Sequence, residues 1–320
     1  MIAVVLAVLC HAALCALCVL VERVSGVPAP LVWLAYWTLG SMALVHFDWS
    51  CAWLRTTRLS GALRRDIAAV RFTESATERL GALRTELARG KQAIFAIEPH
   101  GYACISVALL FAGYGSTPRS LPHTIGASAA AKLRVVSHWL ALAIPFIREL
   151  YAVFGVVDST RATVFAELAR GNHVLLIPSG MPGKELGALR DAPHNVVDVV
   201  RRPDTRLGFV YAAVRFSALL VPVLALDENH AYATCGPSFA PWFLQLVVGR
   251  FLVAPFWRRT PMRVAVGEPI DVGSTHWTDR AAIHRLAERY YAALDALARE
   301  HGATLVLHGG SADESKARSE

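Results

Sequence analysis

Residues 92–101 read Gln-Ala-Ile-Phe-Ala-Ile-Glu-Pro-His-Gly and contain the sharpest change of structure in the chain. The run Gln92–Ile97 is short and apolar and predicts a buried β-strand, which Glu98 and Pro99 end abruptly. The next segment, Tyr102–Ala112, is largely apolar and predicts a buried helix. A strand that leads directly into a helix is the building unit of an α/β domain.

The alternation of strand and helix continues on both sides of this segment. Upstream, Ser75–Glu78 has the spacing of a capping box and predicts a helix that ends at Gly90. Because strands and helices alternate, we expect an α/β domain with a mixed, largely parallel sheet flanked by helices. Further helices are predicted at Ala127–Leu142, Ser159–Arg170, Leu207–Phe216 and Thr278–His301, and further strands at Ala152–Val157, His173–Ile177, Leu219–Leu226 and Arg263–Val266.

The start of the chain has a different composition. Its first 47 residues carry only two formal charges, Glu22 and Arg23, which separate the uncharged runs Ile2–Val21 and Val27–Phe47. A helix of about 20 residues, rising about 1.5 Å per residue, crosses a hydrocarbon core of about 30 Å. A cleaved signal peptide is the alternative for the first run, although it lacks a basic leading segment. We therefore predict a transmembrane helical hairpin at 1–48, an α/β domain at 49–305 and a polar tail at 306–320.

The charge distribution predicts an orientation and a class of partner. The chain is 54% hydrophobic and 18% charged, with a net charge of +7, which argues against a disordered or a plain cytosolic protein. Arginines crowd residues 55–71 just after the second apolar run, so we expect the domain on the cytosolic side of a membrane. The cysteines show no disulfide or zinc spacing. No nucleic-acid module is evident, so the expected partners are an anionic membrane surface and an anionic substrate.

His100 is the first candidate catalytic residue. It follows the carboxyl end of a predicted strand, where α/β sheets bind ligands, and it precedes a predicted helix. The positive end of a helix favours neutral imidazole, which suits a general base, and Gly101 leaves room for a substrate. The alternative for a single histidine is a capping or core role.

Two loops are candidate binding segments. Arg201, Arg202 and Arg206 lie just before a predicted helix, with Lys184 upstream, and guanidinium groups at that position suit the phosphates of coenzyme A. A solvated basic loop is the alternative. The loop Pro178–Gly180 follows the predicted strand His173–Ile177 and is placed to line a site, unless it is a plain turn.

Six segments follow one another over about 200 residues: Glu98–Gly101, Leu176–Gly180 with Glu185 and Leu186, Arg206–Phe209, Val221–Val223 with Glu228 and Asn229, Val266–Ile270, and Tyr290–His301. Behind two apolar runs and in this order, they resemble the motifs of the type-2 diacylglycerol acyltransferase family, within the glycerolipid acyltransferase superfamily. Ser179 departs from that pattern, because the family has glycine there. The His-x-x-x-x-Asp pattern of the wider superfamily is absent, since Ile105 follows His100 at that spacing, and the type-2 branch shares this absence.

The resemblance implies a function and a set of site residues. The reaction would be direct transfer of an acyl group from acyl-CoA to the free hydroxyl of diacylglycerol. In a eukaryote its place would be the endoplasmic reticulum membrane or a lipid droplet. His100 would act as general base, with Glu98, Glu185 or Glu228 orienting it. Neither a metal nor a further cofactor is implied. The coenzyme A site would include Lys184, Arg201, Arg202, Arg206 and Gly208, and the acceptor or oxyanion loop Gly101, Pro178, Ser179, Gly180, Glu185, Glu228 and Asn229.

Other functions fit parts of the sequence. Monoacylglycerol or a long-chain alcohol is an alternative acceptor. A lipid serine hydrolase is suggested by Gly126–Ala130, which loosely resembles G-x-S-x-G around Ser128. A non-catalytic lipid-binding protein with the same fold is the third alternative.

Overall fold

The computed structural model describes residues 15–36, 70–99, 121–142, 151–152, 155–179, 195–200, 207–228, 232–233, 256–257 and 262–308. Residues 15–25 and 29–36 are helical, and Gly26, at φ 74°, ends the first of these helices. Within the described ranges, no helix combines the length and the apolar character needed to cross a bilayer. Residues 2–14 and 37–47 of the predicted hairpin lie outside these ranges.

The remaining described residues alternate between strands and helices. The strands are β1 (Val70–Phe72), β2 (Ala93–Glu98), β3 (Leu133–Ser137), β4 (Val156–Asp158), β5 (His173–Leu176), β6 (Val196–Val200), β7 (Leu219–Ala225), β8 (Tyr232–Ala233), β9 (Phe256–Trp257), β10 (Met262–Val266) and β11 (Thr304–His308). The helices are α1 (Glu74–Ala88), α2 (Leu121–Ile125), α3 (Ala127–Ala131), α4 (Trp139–Leu142), α5 (Arg161–Ala169), α6 (Gly208–Arg215) and α7 (Arg280–Glu300).

The main sheet has seven strands in the order β1-β10-β7-β2-β5-β3-β4. Every neighbouring pair is parallel except β10 and β7. The prediction of a mixed, largely parallel sheet is therefore confirmed. Strand β2 lies near the centre between β7 and β5, with Phe95 opposite Val221 and Ile94 opposite Val174.

Strand β2 is apolar from Ala93 to Ile97 because both faces of the sheet are covered. Alternate residues of a strand point to opposite faces. Ile94 belongs to the core formed with α5, α6 and α7, whereas Phe95 belongs to the core formed with α1. All six residues of β2 are buried. This packing places the end of β2 at a rigid edge of the sheet.

Three predictions of local structure are wrong in whole or in part. The predicted helix Ala127–Leu142 is instead α3, β3 and α4, because β3 pairs with both β4 and β5 and its β-branched valines suit that position. The predicted strand Ala152–Val157 is observed as β4 from Val156, and Ala152 is helical. The helix expected from Ser75 begins two residues earlier, where the side chain of Thr73 caps the backbone N–H of Ala76. The predicted helix Tyr102–Ala112 lies outside the described residues.

The last described strand belongs to a second, smaller sheet. Strand β11 pairs in parallel with β6, and Nε2 of His308 lies 2.5 Å from Oδ1 of Asp198. Residues 306–308 therefore belong to an element that begins within the predicted domain 49–305. Residues 309–320, the rest of the predicted tail, are outside the described ranges.

Candidate active site

Three strand ends meet at one edge of the main sheet. Strands β7, β2 and β5 are adjacent and parallel, so their carboxyl ends share the edge where α/β sheets bind ligands. Glu98 is the last residue of β2, Ser179 follows β5, and Glu228 follows β7. All three are buried, with exposed fractions of 0%, 2% and 0%. Predicted site residues from separate parts of the sequence thus lie at one buried edge.

Glu98 and Ser179 are joined directly. The backbone N–H of Ser179 donates to Oε1 of Glu98 at 2.8 Å, and the Ser179 hydroxyl donates to Oε2 at 2.6 Å. A buried carboxyl group needs donors of this kind, since burial removes its hydration. The pair therefore holds Ser179 against the end of β2, and Glu98 lies one residue before Pro99 and two before His100 in the sequence.

Tyr290 approaches the same strand from α7. It is fully buried, and its hydroxyl donates to the carbonyl oxygen of Ala96 at 3.3 Å. Burial raises the pKa of Tyr290 well above its usual value, and the negative charge of Glu98 raises it further, so the hydroxyl stays protonated. The Tyr290 ring also packs edge-on against Phe209 of α6, at 5.0 Å between ring centres.

Tyr290 was not predicted as part of the site. The sequence places it among the apolar positions of a long amphipathic helix, where a tyrosine reads as a core residue. A fully buried tyrosine hydroxyl nevertheless requires a partner. That requirement is the signal that points to Tyr290, but sequence alone does not identify Ala96 as the partner.

The end of β7 is held by an ion pair. Asp227 accepts hydrogen bonds from the backbone N–H of Arg263 at 2.9 Å and from its guanidinium at 3.0 and 3.2 Å. The bond to Asp227 raises the pKa of the Arg263 guanidinium. Because Arg263 belongs to β10, the ion pair holds the turn that carries Glu228 against the sheet.

Many predicted site residues lie outside the described ranges, so their geometry stays a prediction. Pro178 is half-buried beside Ser179, and Gly208 is the exposed first residue of α6. No group of three or more potential ligands suited to a metal is found within the described ranges, and the expectation of a metal-free site is untested. Residues outside these ranges are His100, Gly101, Gly180, Lys184, Glu185, Arg201, Arg202, Arg206 and Asn229.

The segment around Ser128 lacks the geometry of a nucleophile elbow. Such an elbow needs a strand, a sharp turn and then a helix, with the serine in the turn. Ser128 instead lies exposed inside the five-residue helix α3, and the element before it is the helix α2. This arrangement argues against the serine hydrolase alternative.

Comparisons with known proteins agree on one family. The sequence model described as "Diacylglycerol acyltransferase" matches residues 36–252. Diacylglycerol O-acyltransferase 2-like protein 6 of Mus musculus is 24% identical over 189 residues, which are 51% of this chain and 54% of that protein. 2-Acylglycerol O-acyltransferase 1 of Bos taurus is 25% identical over 231 residues, or 65% of this chain and 64% of that protein.

Two further likenesses extend the comparison. Diacylglycerol O-acyltransferase 1 of Schizosaccharomyces pombe is 24% identical over 234 residues, covering 67% of this chain and 64% of that protein. The chain thus spans between about half and two-thirds of these relatives' lengths. The crystal structure of a 1-acyl-sn-glycerophosphate acyltransferase from Thermotoga maritima is 13% identical, covers 83% of this chain and 93% of its own, and has a TM-score of 0.39. At that score the structural likeness carries no argument.

Proposed function

The chain belongs to the diacylglycerol acyltransferase family, and from that membership we propose that it transfers a fatty acyl group from acyl-CoA to the free hydroxyl of diacylglycerol. The observation that supports this most directly is the buried junction of Glu98 with Ser179. This junction joins residues of two motifs that resemble the family, at the carboxyl ends of β2 and β5. Its glutamate lies two residues before His100 in the sequence.

His100 is the proposed general base. It takes the proton from the acceptor hydroxyl while the oxygen attacks the thioester carbonyl carbon, which gives a tetrahedral intermediate. The intermediate then collapses, the carbon–sulfur bond breaks, and His100 returns the proton to the coenzyme A thiolate. General base catalysis of this kind contributes about 10²–10⁴-fold. Glu98 acts as a positioning residue, because its bonds to Ser179 fix the strand end that leads into His100.

We assign the two substrates to different segments of the chain. The coenzyme A phosphates would lie on the basic residues before α6, at the positive end of that helix. The N–H and the hydroxyl of Ser179 are both bound to Glu98, so other donors in the loop after β5 would stabilise the oxyanion, an effect of about 10²–10³-fold for one donor. The proposed coenzyme A residues are Lys184, Arg201, Arg202, Arg206 and Gly208, and those for the acceptor or oxyanion are Gly101, Pro178, Ser179, Gly180, Glu185, Glu228 and Asn229.

Monoacylglycerol is a second candidate acceptor. A relative named 2-acylglycerol O-acyltransferase matches this chain as well as the diacylglycerol enzymes do. A long-chain alcohol is the third acceptor to test. The chemistry at His100 is the same for all three, because each presents a hydroxyl to the thioester.

We also propose a membrane location for the chain. The uncharged runs at 2–47 would insert as a hairpin, and the α/β domain would face the cytosol at the endoplasmic reticulum or a lipid droplet. Alkaline carbonate extraction tests the insertion, and protease protection of sealed membranes tests the side. Release by carbonate, or a domain protected inside sealed vesicles, would contradict this location.

Acyl transfer by membranes that express the full chain tests the function. The membranes receive labelled long-chain acyl-CoA with diacylglycerol, monoacylglycerol or a long-chain alcohol, and lipid products are separated. Wild type is expected to acylate diacylglycerol, and His100→Ala to lose about 10²–10⁴-fold of the rate. The matched control is His138→Ala, which changes an exposed histidine beside Trp139.

Two results would overturn the proposal. If His100→Ala matched wild type, His100 would not be the base. If wild type acylated none of the three acceptors, a non-catalytic lipid-binding role would be favoured. Ser128→Ala should keep full activity, and its loss at normal protein levels would restore the hydrolase alternative.

A further inference from the structure

Arginine and aromatic side chains alternate on the outer surface of α5 and α6. Arg161 and Phe165 come from α5, and Tyr211 and Arg215 from α6, each pair one helical turn apart. Trp277 joins them from the segment between β10 and α7, and its side chain is 40% exposed. These five residues are named the arginine–aromatic shelf.

Each guanidinium of the shelf lies over two rings. The guanidinium carbon of Arg161 is 4.5 Å from the centre of the Tyr211 ring and 4.9 Å from that of Phe165. That of Arg215 is 5.1 Å from the Trp277 ring centre and 5.7 Å from the Phe165 ring centre. Contact with a ring does not occupy the N–H donors of a guanidinium with an acceptor oxygen, so these donors can bind an anion.

The described residues give neither arginine a carboxylate partner or a hydrogen-bond acceptor. Other arginines of the domain differ in this respect, since Arg134 and Arg263 are paired with Glu167 and Asp227. Two exposed cations that form no ion pair within the described part of the chain create a local positive potential. The shelf therefore attracts an anion.

A shallow cleft, wide open to solvent, lies beside the shelf. The rings of Phe165, Phe216 and Trp277 line it, together with two alanines of α5 and Arg215. Aromatic walls stack on planar rings, and guanidinium groups bind phosphates, so the cleft suits a ligand that carries both groups.

We propose that the arginine–aromatic shelf binds a nucleotide, with the base between the rings of the cleft and phosphate groups on Arg161 and Arg215. Two sources present this chemistry: a free purine nucleotide and the nucleotide end of a coenzyme A thioester. The second source rests on the proposed function, and in that case the shelf shares the coenzyme A phosphates with the basic residues before α6. The fold is compatible with this second source. Tyr211 and Phe209 lie on the same short helix, and Phe209 packs against Tyr290, whose hydroxyl bonds to Ala96 of β2.

Direct binding to the purified full-length protein in neutral-lipid nanodiscs tests the site. Calorimetric titrations use coenzyme A, ADP and pantetheine, which lacks the nucleotide. Coenzyme A and ADP are expected to bind wild type, and the double variant Arg161→Ala/Arg215→Ala to bind both about tenfold more weakly or worse, since a charge-assisted contact is lost with each arginine. Trp277→Ala removes a wall and should weaken both ligands while leaving pantetheine unchanged.

The control is Arg89→Ala, which removes one exposed arginine at the C-cap of α1 and should leave nucleotide affinity at the wild-type value. Unchanged affinity for coenzyme A and ADP in the double variant would overturn the proposal. The proposal would also be overturned if the double variant bound nucleotides normally but bound vesicles of anionic phospholipid more weakly than wild type. The shelf would then face a membrane.

Transfer kinetics separate the two sources. If the shelf binds the nucleotide end of acyl-CoA, the double variant should raise KM for acyl-CoA about tenfold, leave kcat unchanged, and leave KM for acyl-pantetheine unchanged. If ADP binding falls while KM for acyl-CoA is constant, the site takes a free nucleotide. If wild type shows no transfer at all, the proposed function fails, and the titrations with ADP still decide the shelf.

Discussion

Side chains join strands β2 and β5 at both ends, and the two junctions differ in kind. At the amino end, Nδ1 of His173 accepts one bond from the backbone N–H of Ala93 at 3.3 Å. At the carboxyl end, both oxygens of Glu98 accept bonds from Ser179, at 2.8 and 2.6 Å. All four residues are buried. The amino end thus uses one neutral acceptor, whereas the carboxyl end carries a carboxyl group and two donors. The proposed chemistry occurs at the carboxyl end.

Glu98→Ala should have the largest effect, because it removes the acceptor of two buried donors. We expect the free energy of unfolding to fall by about 3 kcal/mol. We also expect acyl transfer to fall at least about a hundredfold, since a small displacement of a catalytic group costs that much. Thermal unfolding in detergent and the transfer assay measure the two effects.

Glu98→Gln keeps an acceptor oxygen at the same place and should recover part of the stability. The control Glu86→Ala removes a half-exposed carboxyl group of α1 that pairs with Arg89 and Lys91 at the surface, and it should leave both measurements near wild type. A Glu98→Ala protein with normal stability and normal transfer would show that the carboxyl-end junction is dispensable.

The amino-end junction predicts sensitivity to acid. Burial, and then the positive charge of Lys132, lower the pKa of His173 from 6.5 to about 4. Between these values the unfolded chain binds a proton that the folded chain does not, so stability falls as the pH drops from about 6.5 to 4, by up to about 3 kcal/mol. His173→Asn keeps an acceptor for Ala93 without this proton site, and it should lose less stability over that range.

Unfolding free energies at pH 7 and pH 4.5 measure the difference between the two proteins. All other titrating groups are shared, so the comparison isolates His173. Equal losses in wild type and His173→Asn would mean that His173 is not held neutral in the folded chain.

Ser179→Ala tests the carboxyl-end junction more gently. It removes the hydroxyl bond to Glu98 but keeps the backbone N–H bond, so we expect a loss of about 2 kcal/mol in stability and about a tenfold fall in transfer. Ser179→Thr retains a hydroxyl and should restore most of the rate. Ser179→Gly, with the residue of the family motif, should behave like Ser179→Ala; transfer at the wild-type rate in both would remove the hydroxyl from the positioning role.

The sequence predicted the central strands well because they are covered on both faces. Runs such as Gln92–Ile97 and Leu219–Leu226 are continuously apolar, and the observed β2 and β7 agree with them to within one residue at each end. The segment Ala127–Leu142 was predicted wrongly because its structure depends on partners distant in sequence. Strand β3 exists only through pairing with β4 and β5, which no local pattern displays.

The site was predictable where a motif carries it. Glu98, Ser179 and Glu228 stood out as residues at strand ends, and parallel pairing explains why they share an edge. The bond between Glu98 and Ser179 depends on the packing of two loops, so its geometry needed the structure. The arginine–aromatic shelf was missed because its residues come from three elements without a common motif.

Tyr290→Phe should have the smallest effect of these substitutions. It tests the hydrogen bond between α7 and strand β2. Loss of the hydroxyl bond to Ala96 should cost about 1 kcal/mol at neutral pH, with little change in transfer. Burial and the charge of Glu98 raise the pKa of Tyr290, so the unfolded chain ionises first as the pH rises above 10, and wild type loses stability there. Tyr290→Phe lacks this loss. Unfolding measured at pH 7 and pH 10.5 should therefore show the two proteins converging, and a constant gap would mean that Tyr290 ionises as easily in the folded chain as in the unfolded one.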